Sequence, residues 1–245
     1  MIIDRATALV TGASSGIGTA TALALAARGA RLLVHGRDAA AVAAVAERVG
    51  GTAIVADLGS PAGVDELVAA VPDRVDIVVA NAGVGWAGPF ETMTPQRIER
   101  LIAVNLMAPL RLTHGLLPRM RTNGGFLAYV TSIAGRTGVG GEAVYAATKA
   151  GLDVFAESLR LELHGTGIGV GVLVPGVVQT PFFERRGVPY ERRRPRPIPA
   201  AEVAKALVRM IEVDGAETYR PRWLRLPVVV KAALPGTYRA LARRF

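Results

Sequence analysis

Two alternating rhythms of apolar and polar positions run along this chain. Short runs in which nearly every position is apolar, at 6–10, 31–35, 52–56, 77–80, 126–131 and 168–174, read as strands covered on both faces. Between them, Ala- and Leu-rich stretches at 16–28, 39–49, 61–71, 95–120 and 143–164 place apolar residues at helical spacing. Strand–helix alternation at this rhythm predicts right-handed crossovers and a doubly wound parallel sheet with helices on both faces, an α/β fold. No composition break precedes residue 180, so residues 1–245 are expected to form a single domain. After Pro199 a further helix is expected at 200–213.

Composition narrows the class. With 245 residues, 51% of them hydrophobic and 20% charged, the chain can bury a large core, which excludes disorder. Cys is absent, which removes disulfides, thiolate nucleophiles and Cys-bound metals, and the three His (35, 114 and 164) are too scattered to suggest a metal site. The net charge of +9 is not evenly spread: residues 1–180 carry 14 basic and 14 acidic side chains, whereas 181–245 carry 15 and 6. The body is therefore no nucleic-acid binder by charge, and the tail offers charge without a recognised reading module. Two uncharged runs, 6–27 and 163–183, are long enough for a membrane span, but their Gly and Pro residues suit a buried strand entering a turn. Asp4 stands where a signal peptide needs a basic residue, which makes the cytoplasm the default compartment.

Chemistry enters at Thr11-Gly12-Ala13-Ser14-Ser15-Gly16-Ile17-Gly18, between the first strand and the first helix. Glycines there allow a tight turn and close backbone approach, and the helix N-terminus behind them can face a phosphate; a simple tight turn is the plainer alternative. Tyr145 and Lys149 stand at i and i+4, on one face of a predicted helix. A free phenol titrates near 10, too high for a base at neutrality, and a neighbouring ammonium would lower it. An ordinary core Tyr and a solvated Lys would share that spacing. The chain has only five Tyr and three Lys, however, so the pairing is not easily accidental.

Together with Asn81-Ala82-Gly83, Asn105, Ser132 and Pro175-Gly176-Val177-Val178-Gln179-Thr180, these motifs resemble, in order over residues 6–180, the single-domain branch of the short-chain dehydrogenase/reductase family. The resemblance implies a Rossmann-like fold and an oxidoreductase that interconverts a carbonyl and a secondary alcohol with a nicotinamide cofactor. It implies Tyr145 as general acid/base, Lys149 as its cationic partner and a holder of the cofactor ribose, and Ser132 on the substrate oxygen. Asn105 would hold a water that links Lys149 to solvent, although Pro109 behind it could equally mark a helix bend. Cofactor contacts carry over to Gly12, Ser14, Ser15, Gly16, Ile17, Gly18, Asp57, Leu58, Asn81, Ala82, Gly83, Pro175, Gly176, Val178 and Thr180.

The end of the second strand points to NADP(H) over NAD(H). NAD-dependent relatives end it with an acid that grips the ribose 2′-hydroxyl, but here position 36 is Gly and Arg37 follows, where a guanidinium can clamp a 2′-phosphate. Asp38 is read as the cap of the next helix, and His35 as a strand-end residue with at most a minor part in phosphate binding. Many NADP relatives carry a base just before the second glycine, where this chain has Ser15.

Val84, Trp86, Ile133, Val139, Val177, Phe182 and Phe183 are candidate substrate walls, and their apolar character favours a hydrophobic substrate. Residues 181–199 fall where the family has a substrate lid. Its arginines, Arg185, Arg186 and 192–194, keep a 3-oxoacyl-carrier-protein reductase open as the rival reading; a solvated loop is the plain one. A catalytically idle NADP-binding sensor or scaffold is the rival from another class. Residues 217–245 read as a short strand and two basic amphipathic segments, suited either to peripheral contact with an anionic membrane or to packing on the body. A homodimer through the helices at 95–120 and 143–164 is implied by the resemblance.

Overall fold

A computed structural model describes residues 1–191 and 193–242. In chain order the elements are β1 (Thr7–Val10), α1 (Gly16–Ala26), β2 (Arg31–Gly36), α2 (Ala39–Val49), β3 (Thr52–Val55), α3 (Pro61–Ala70) and β4 (Ile77–Ala80). Then come α4 (Pro95–Ile102), α5 (Ala108–Met120), β5 (Gly125–Val130), α6 (Ile133–Thr137), α7 (Ala143–Glu162), β6 (Ile168–Pro175) and β7 (Val178–Gln179). The last are α8 (Phe182–Arg185), β8 (Ile198–Pro199), α9 (Ala200–Glu212), β9 (Glu217–Arg220), α10 (Arg225–Ala233) and α11 (Pro235–Ala242).

Seven strands form one sheet in the order β3-β2-β1-β4-β5-β6-β9, and every pairing is parallel. The doubly wound, Rossmann-like arrangement expected from the strand–helix rhythm is thus the observed one. Strands β1 and β4 are buried at every position, as two covered faces require. The edge strand β3 departs from that pattern: only Ile54 is buried, because nothing pairs beyond it. Apolar residues of α1, α2 and α9 fill one face of the sheet. Those of α3, α5 and α7 fill the other.

Local chemistry sets the helix ends. Asp38 accepts from Ala41 N at 3.0 Å and caps α2, the role its position predicted. Ser60 and Thr94 cap α3 and α4 in the same way, each followed by Pro at the first helical position. The stretch 95–120, expected as one helix, is broken: Ala103–Met107 forms a π-turn between α4 and α5. Pro109 gives the physical reason, since it has no N–H to return to the carbonyl of Asn105 four residues back.

The C-terminal segments fold back onto the body. Leu224 is buried, and Val228 packs against the core. Lys231 Nζ donates to the Arg136 carbonyl at 2.8 Å, and the Tyr238 hydroxyl donates to that of Thr137 at 3.2 Å. Trp223, Leu226, Val229, Leu234 and Leu241 stay exposed on the outer side. Residues 243–245 of the second predicted segment, and Arg192 of the Arg-rich run, lie outside the described residues. No described helix is long and apolar enough to cross a membrane.

Candidate active site

The sheet order reverses direction at β1, which has β2 on one side and β4 on the other. Crevices in doubly wound sheets open at such a switch point, beyond the carboxyl ends of the strands. A groove of about 900 Å³ lies there. The turn after β1 forms its floor, and two glycines explain the turn's shape. Gly16 has φ +59°, a left-handed conformation, and a Cβ at Gly18 would lie 2.2 Å from the Gly12 carbonyl oxygen. Gly18 therefore lets the turn close on itself and does not line the groove, whereas Gly12, Ser14, Ser15, Gly16 and Ile17 do.

Asn81-Ala82-Gly83 is strapped to this turn. Thr11 Oγ1 accepts from the backbone N of Asn81 and of Ala82, both at 3.0 Å. The Asn81 amide donates back to the carbonyls of Thr11 at 2.9 Å and Gly12 at 3.2 Å. Asn81 thus acts as a strut that fixes the walls at the ends of β1 and β4. Thr11, at the head of the glycine turn, supplies the other half of the strap, a role that no local spacing signals.

Asp57 and Leu58 line the groove beyond β3. Both Asp57 carboxylate oxygens are taken by Arg100, at 2.6 and 2.9 Å, and this pairing holds the carboxyl below its ordinary range. His35 is buried, with Nε2 3.1 Å from the Ala56 carbonyl. Burial lowers its pKa to about 4, so the ring is neutral at pH 7 and brings no charge to a phosphate. Arg37 is exposed on the groove wall beside it. Pro175, Gly176, Val178 and Thr180 close the opposite side.

Ser132, Tyr145 and Lys149 meet in the groove wall, brought there by the end of β5 and one face of α7. The Ser132 hydroxyl accepts from Ala134 N at 3.2 Å, capping α6, and faces the Tyr145 phenol, whose ionised form it favours. Lys149 is buried, its Nζ donating to the Val130 carbonyl at 2.9 Å and lying 5.9 Å from the centre of the Tyr145 ring. Burial lowers the Lys149 pKa to about 8. The expected lowering of the Tyr145 phenol is reversed. Burial pushes it well above its ordinary value, Glu142 adds to the rise, and Ser132 and Arg186 oppose it. Helical spacing placed the two side chains together but did not register how completely both leave water.

Asn105, on the π-turn, is fully buried and does not line the groove. Its Oδ1 accepts from Val84 N at 2.8 Å; its Nδ2 donates to the Val84 carbonyl at 2.9 Å and to Thr148 Oγ1 at 3.3 Å. Both amide hydrogens are therefore spent on protein. Beside it, a Cβ at Gly83 would stand 3.3 Å from Asn105 Oδ1 and 3.5 Å from Lys149 Nζ. The missing side chain of Gly83 thus opens the space between these two polar atoms.

Residues 181–190 cover the groove. Phe182 lies 5.6 Å from the Tyr145 ring, tilted by 50°, and Arg186 pairs with Glu142 at the start of α7. Val84, Ile133, Val139, Val177, Phe182 and Phe183 line the groove as expected. Trp86 does not: it packs against a small cluster of Met93, Leu101, Ala134, Tyr145 and Ala146.

A family model described as short chain dehydrogenase matches residues 6–189. The chain is 33% identical over 251 residues to an uncharacterized oxidoreductase of Myxococcus xanthus, covering 97% of this chain and 96% of that one. A solved short-chain dehydrogenase from Sphingobium yanoikuyae in complex with NADPH is 31% identical, with a TM-score of 0.84 over 98% of this chain and 96% of its own. A 3-ketoacyl-(acyl-carrier-protein) reductase from Brucella melitensis complexed with NADH is 26% identical, with a TM-score of 0.82 over 90% of this chain and 99% of its own.

Proposed function

The chain belongs to the short-chain dehydrogenase family, and on that premise we propose that it is an NADP(H)-dependent oxidoreductase interconverting a carbonyl and a secondary alcohol on a hydrophobic substrate. The observation that carries this reading is the convergence of Ser132, Tyr145 and Lys149 on one wall of the groove, within reach of the glycine turn.

The residues fit a dinucleotide. Gly16 approaches Thr180 so closely that a Cβ would lie 2.8 Å from its methyl, so only glycine lets the turn meet the opposite wall, and the N-terminus of α1 lines the groove where a phosphate would sit. Bound there, the nicotinamide supplies or accepts the hydride. The protein's part is orientation and proton transfer. Ser132 Oγ donates to the substrate oxygen and stabilises charge that develops on it. Tyr145, held protonated by burial, donates the phenol proton to that oxygen in the reducing direction. Lys149 sets a cation beside the phenol, and the space at Gly83 suits a water that returns a proton to it, with Asn105 as the positioning residue.

NADP(H) is favoured because Gly36 leaves no acid at the strand end, Arg37 is exposed there and Asp38 is engaged as a cap. The likeness to a carrier-protein reductase and the arginines of 181–199 favour 3-oxoacyl-carrier-protein reduction as the second reading. Exposed Ile102, Met107, Val154 and Leu161, on the helices expected to pair, support a homodimer.

The test is a titration with NADPH and NADH by intrinsic fluorescence, followed by NADPH consumption with apolar ketones and with acyl carriers, on wild type and Tyr145→Phe. Tight NADPH binding, ketone turnover and a loss of about 10²–10⁴-fold in the variant with unchanged cofactor affinity are expected. Turnover on acyl carriers alone selects the second reading. NADPH binding with no turnover of any carbonyl would leave the protein an idle sensor, and a variant as fast as wild type would remove Tyr145 as the acid.

A further inference from the structure

Ser15 sits at the mouth of α1 and makes no side-chain bond to the helix it caps. Its hydroxyl accepts instead from Arg185 Nη1 at 2.8 Å, a residue 170 positions away on α8. On the other side of the same turn, Gly36 abuts Ser14: a Cβ at Gly36 would lie 3.2 Å from Ser14 Oγ. Arg37 follows directly, exposed and with no ion pair among the described residues. Arg185 thus reaches the Ser14–Ser15 step from the covering segment, and Arg37 lines the same groove from the end of β2.

We propose that Arg185 is the second cation of the cofactor's 2′-phosphate site, supplying from α8 the positive charge that position 15 itself lacks. This rests on the NADP(H) reading. A phosphate monoester carries nearly two negative charges and three strong acceptor oxygens, more than Arg37 alone can satisfy. A guanidinium already resting on Ser15 Oγ needs only a side-chain rotation to turn toward such a group.

The placement has a consequence for the substrate side. Arg186, the next residue, is paired with Glu142 and lies over Phe183 with its guanidinium carbon 4.6 Å from the ring centre. Phe182, three residues before Arg185, packs on Tyr145. One short helix thus carries the phosphate contact and the wall over the phenol, so the 2′-phosphate holds that wall in place and NADH, which lacks it, does not.

The experiment measures Kd for NADPH and NADH by fluorescence on wild type, Arg37→Ala, Arg185→Ala and Arg185→Ala/Ser15→Arg. Arg185→Ala is expected to weaken NADPH about tenfold or more and to change NADH by less than about twofold. Ser15→Arg in that background restores NADPH affinity. Retained NADH affinity also reports that the variant is folded. An equal loss for both cofactors overturns the proposal, because the contact is then to the shared pyrophosphate; no loss for either overturns it as well. Absence of NADPH preference in the wild type removes the parent reading, and that result is visible before any Arg185 variant is made. As an independent readout, chymotryptic cleavage at 182–190 slows with saturating NADPH but not NADH in wild type, and that difference disappears in Arg185→Ala. Equal protection by both cofactors counts against the proposal.

Discussion

Tyr145 and Arg185 both face the groove, yet opposite physics holds them. Tyr145 is buried with Lys149, Ser132 and Asn105, each tied to a fixed partner within the 6–180 body. Arg185 is exposed, and it is positioned by a single hydroxyl across the groove. Burial shifts the first group's titration strongly and locks its geometry. The exposed guanidinium is free to follow a ligand. Under the proposed function, a site built this way would separate its tasks: the body would fix proton chemistry, and the covering segment would supply charge.

The sharpest way to break this contrast is at Lys149. Lys149→Met is expected to lower turnover by about 10²-fold or more, measured as initial rates at saturating cofactor. It also alters the pH dependence of folding. The unfolded chain keeps the ammonium up to about 10.5, whereas the folded protein releases its proton near 8. Between those values the unfolded state binds more protons, so wild-type stability rises with pH from 8 toward 10. Above 10 the raised Tyr145 acts in the opposite sense and ends the rise. Urea denaturation from pH 7 to 10 reads this as an increase in wild type of about 3 kcal/mol at most. The variant should lack it; a rise of the same size there would mean that Lys149 is solvated after all.

His35 tests the same idea on the acid side with a smaller effect at working pH. It titrates near 6.5 when unfolded and near 4 when folded. The unfolded state therefore takes up the proton first, and stability falls as pH drops from 6.5 to 4. His35→Phe keeps a buried ring without the titration, so its stability profile should be flatter over that window, by up to about 3 kcal/mol at pH 4. An unchanged slope would place the acid sensitivity in other residues.

The two regions also differed in how much could be read from sequence. In the body, β1, the glycine turn, the i, i+4 pair and the Asp38 cap each carry a local signature, because backbone geometry demands particular residues at short spacing. The parallel, doubly wound sheet followed from the rhythm of the elements, though the order of its strands did not. What escaped notice there was non-local or depended on burial: the Thr11–Asn81 strap, the Arg100–Asp57 pair and the direction of the Tyr145 shift. The π-turn was half visible. Apolar periodicity ran straight through it, and only Pro109 marked the break. In 181–242 the charge was plain as composition, but contacts such as Arg185–Ser15 and Arg186–Glu142 join residues far apart in the chain, and no periodicity encodes them.

The C-terminal helices provide the finest test of the contrast. Lys231 and Tyr238 bond the carbonyls of Arg136 and Thr137 in α6, the helix that Ser132 caps. If the tail only rests on the body, Lys231→Met/Tyr238→Phe removes two bonds, one of them exposed. It should then lower stability by about 1 kcal/mol or less, read from the denaturation midpoint. Turnover would stay within about twofold, because Ser132 is also held by Ala134 N. A tenfold fall in kcat with unchanged KM would instead mean that α10 and α11 set the position of Ser132. The division between a body that fixes chemistry and a periphery that supplies charge would then have to be drawn beyond residue 180.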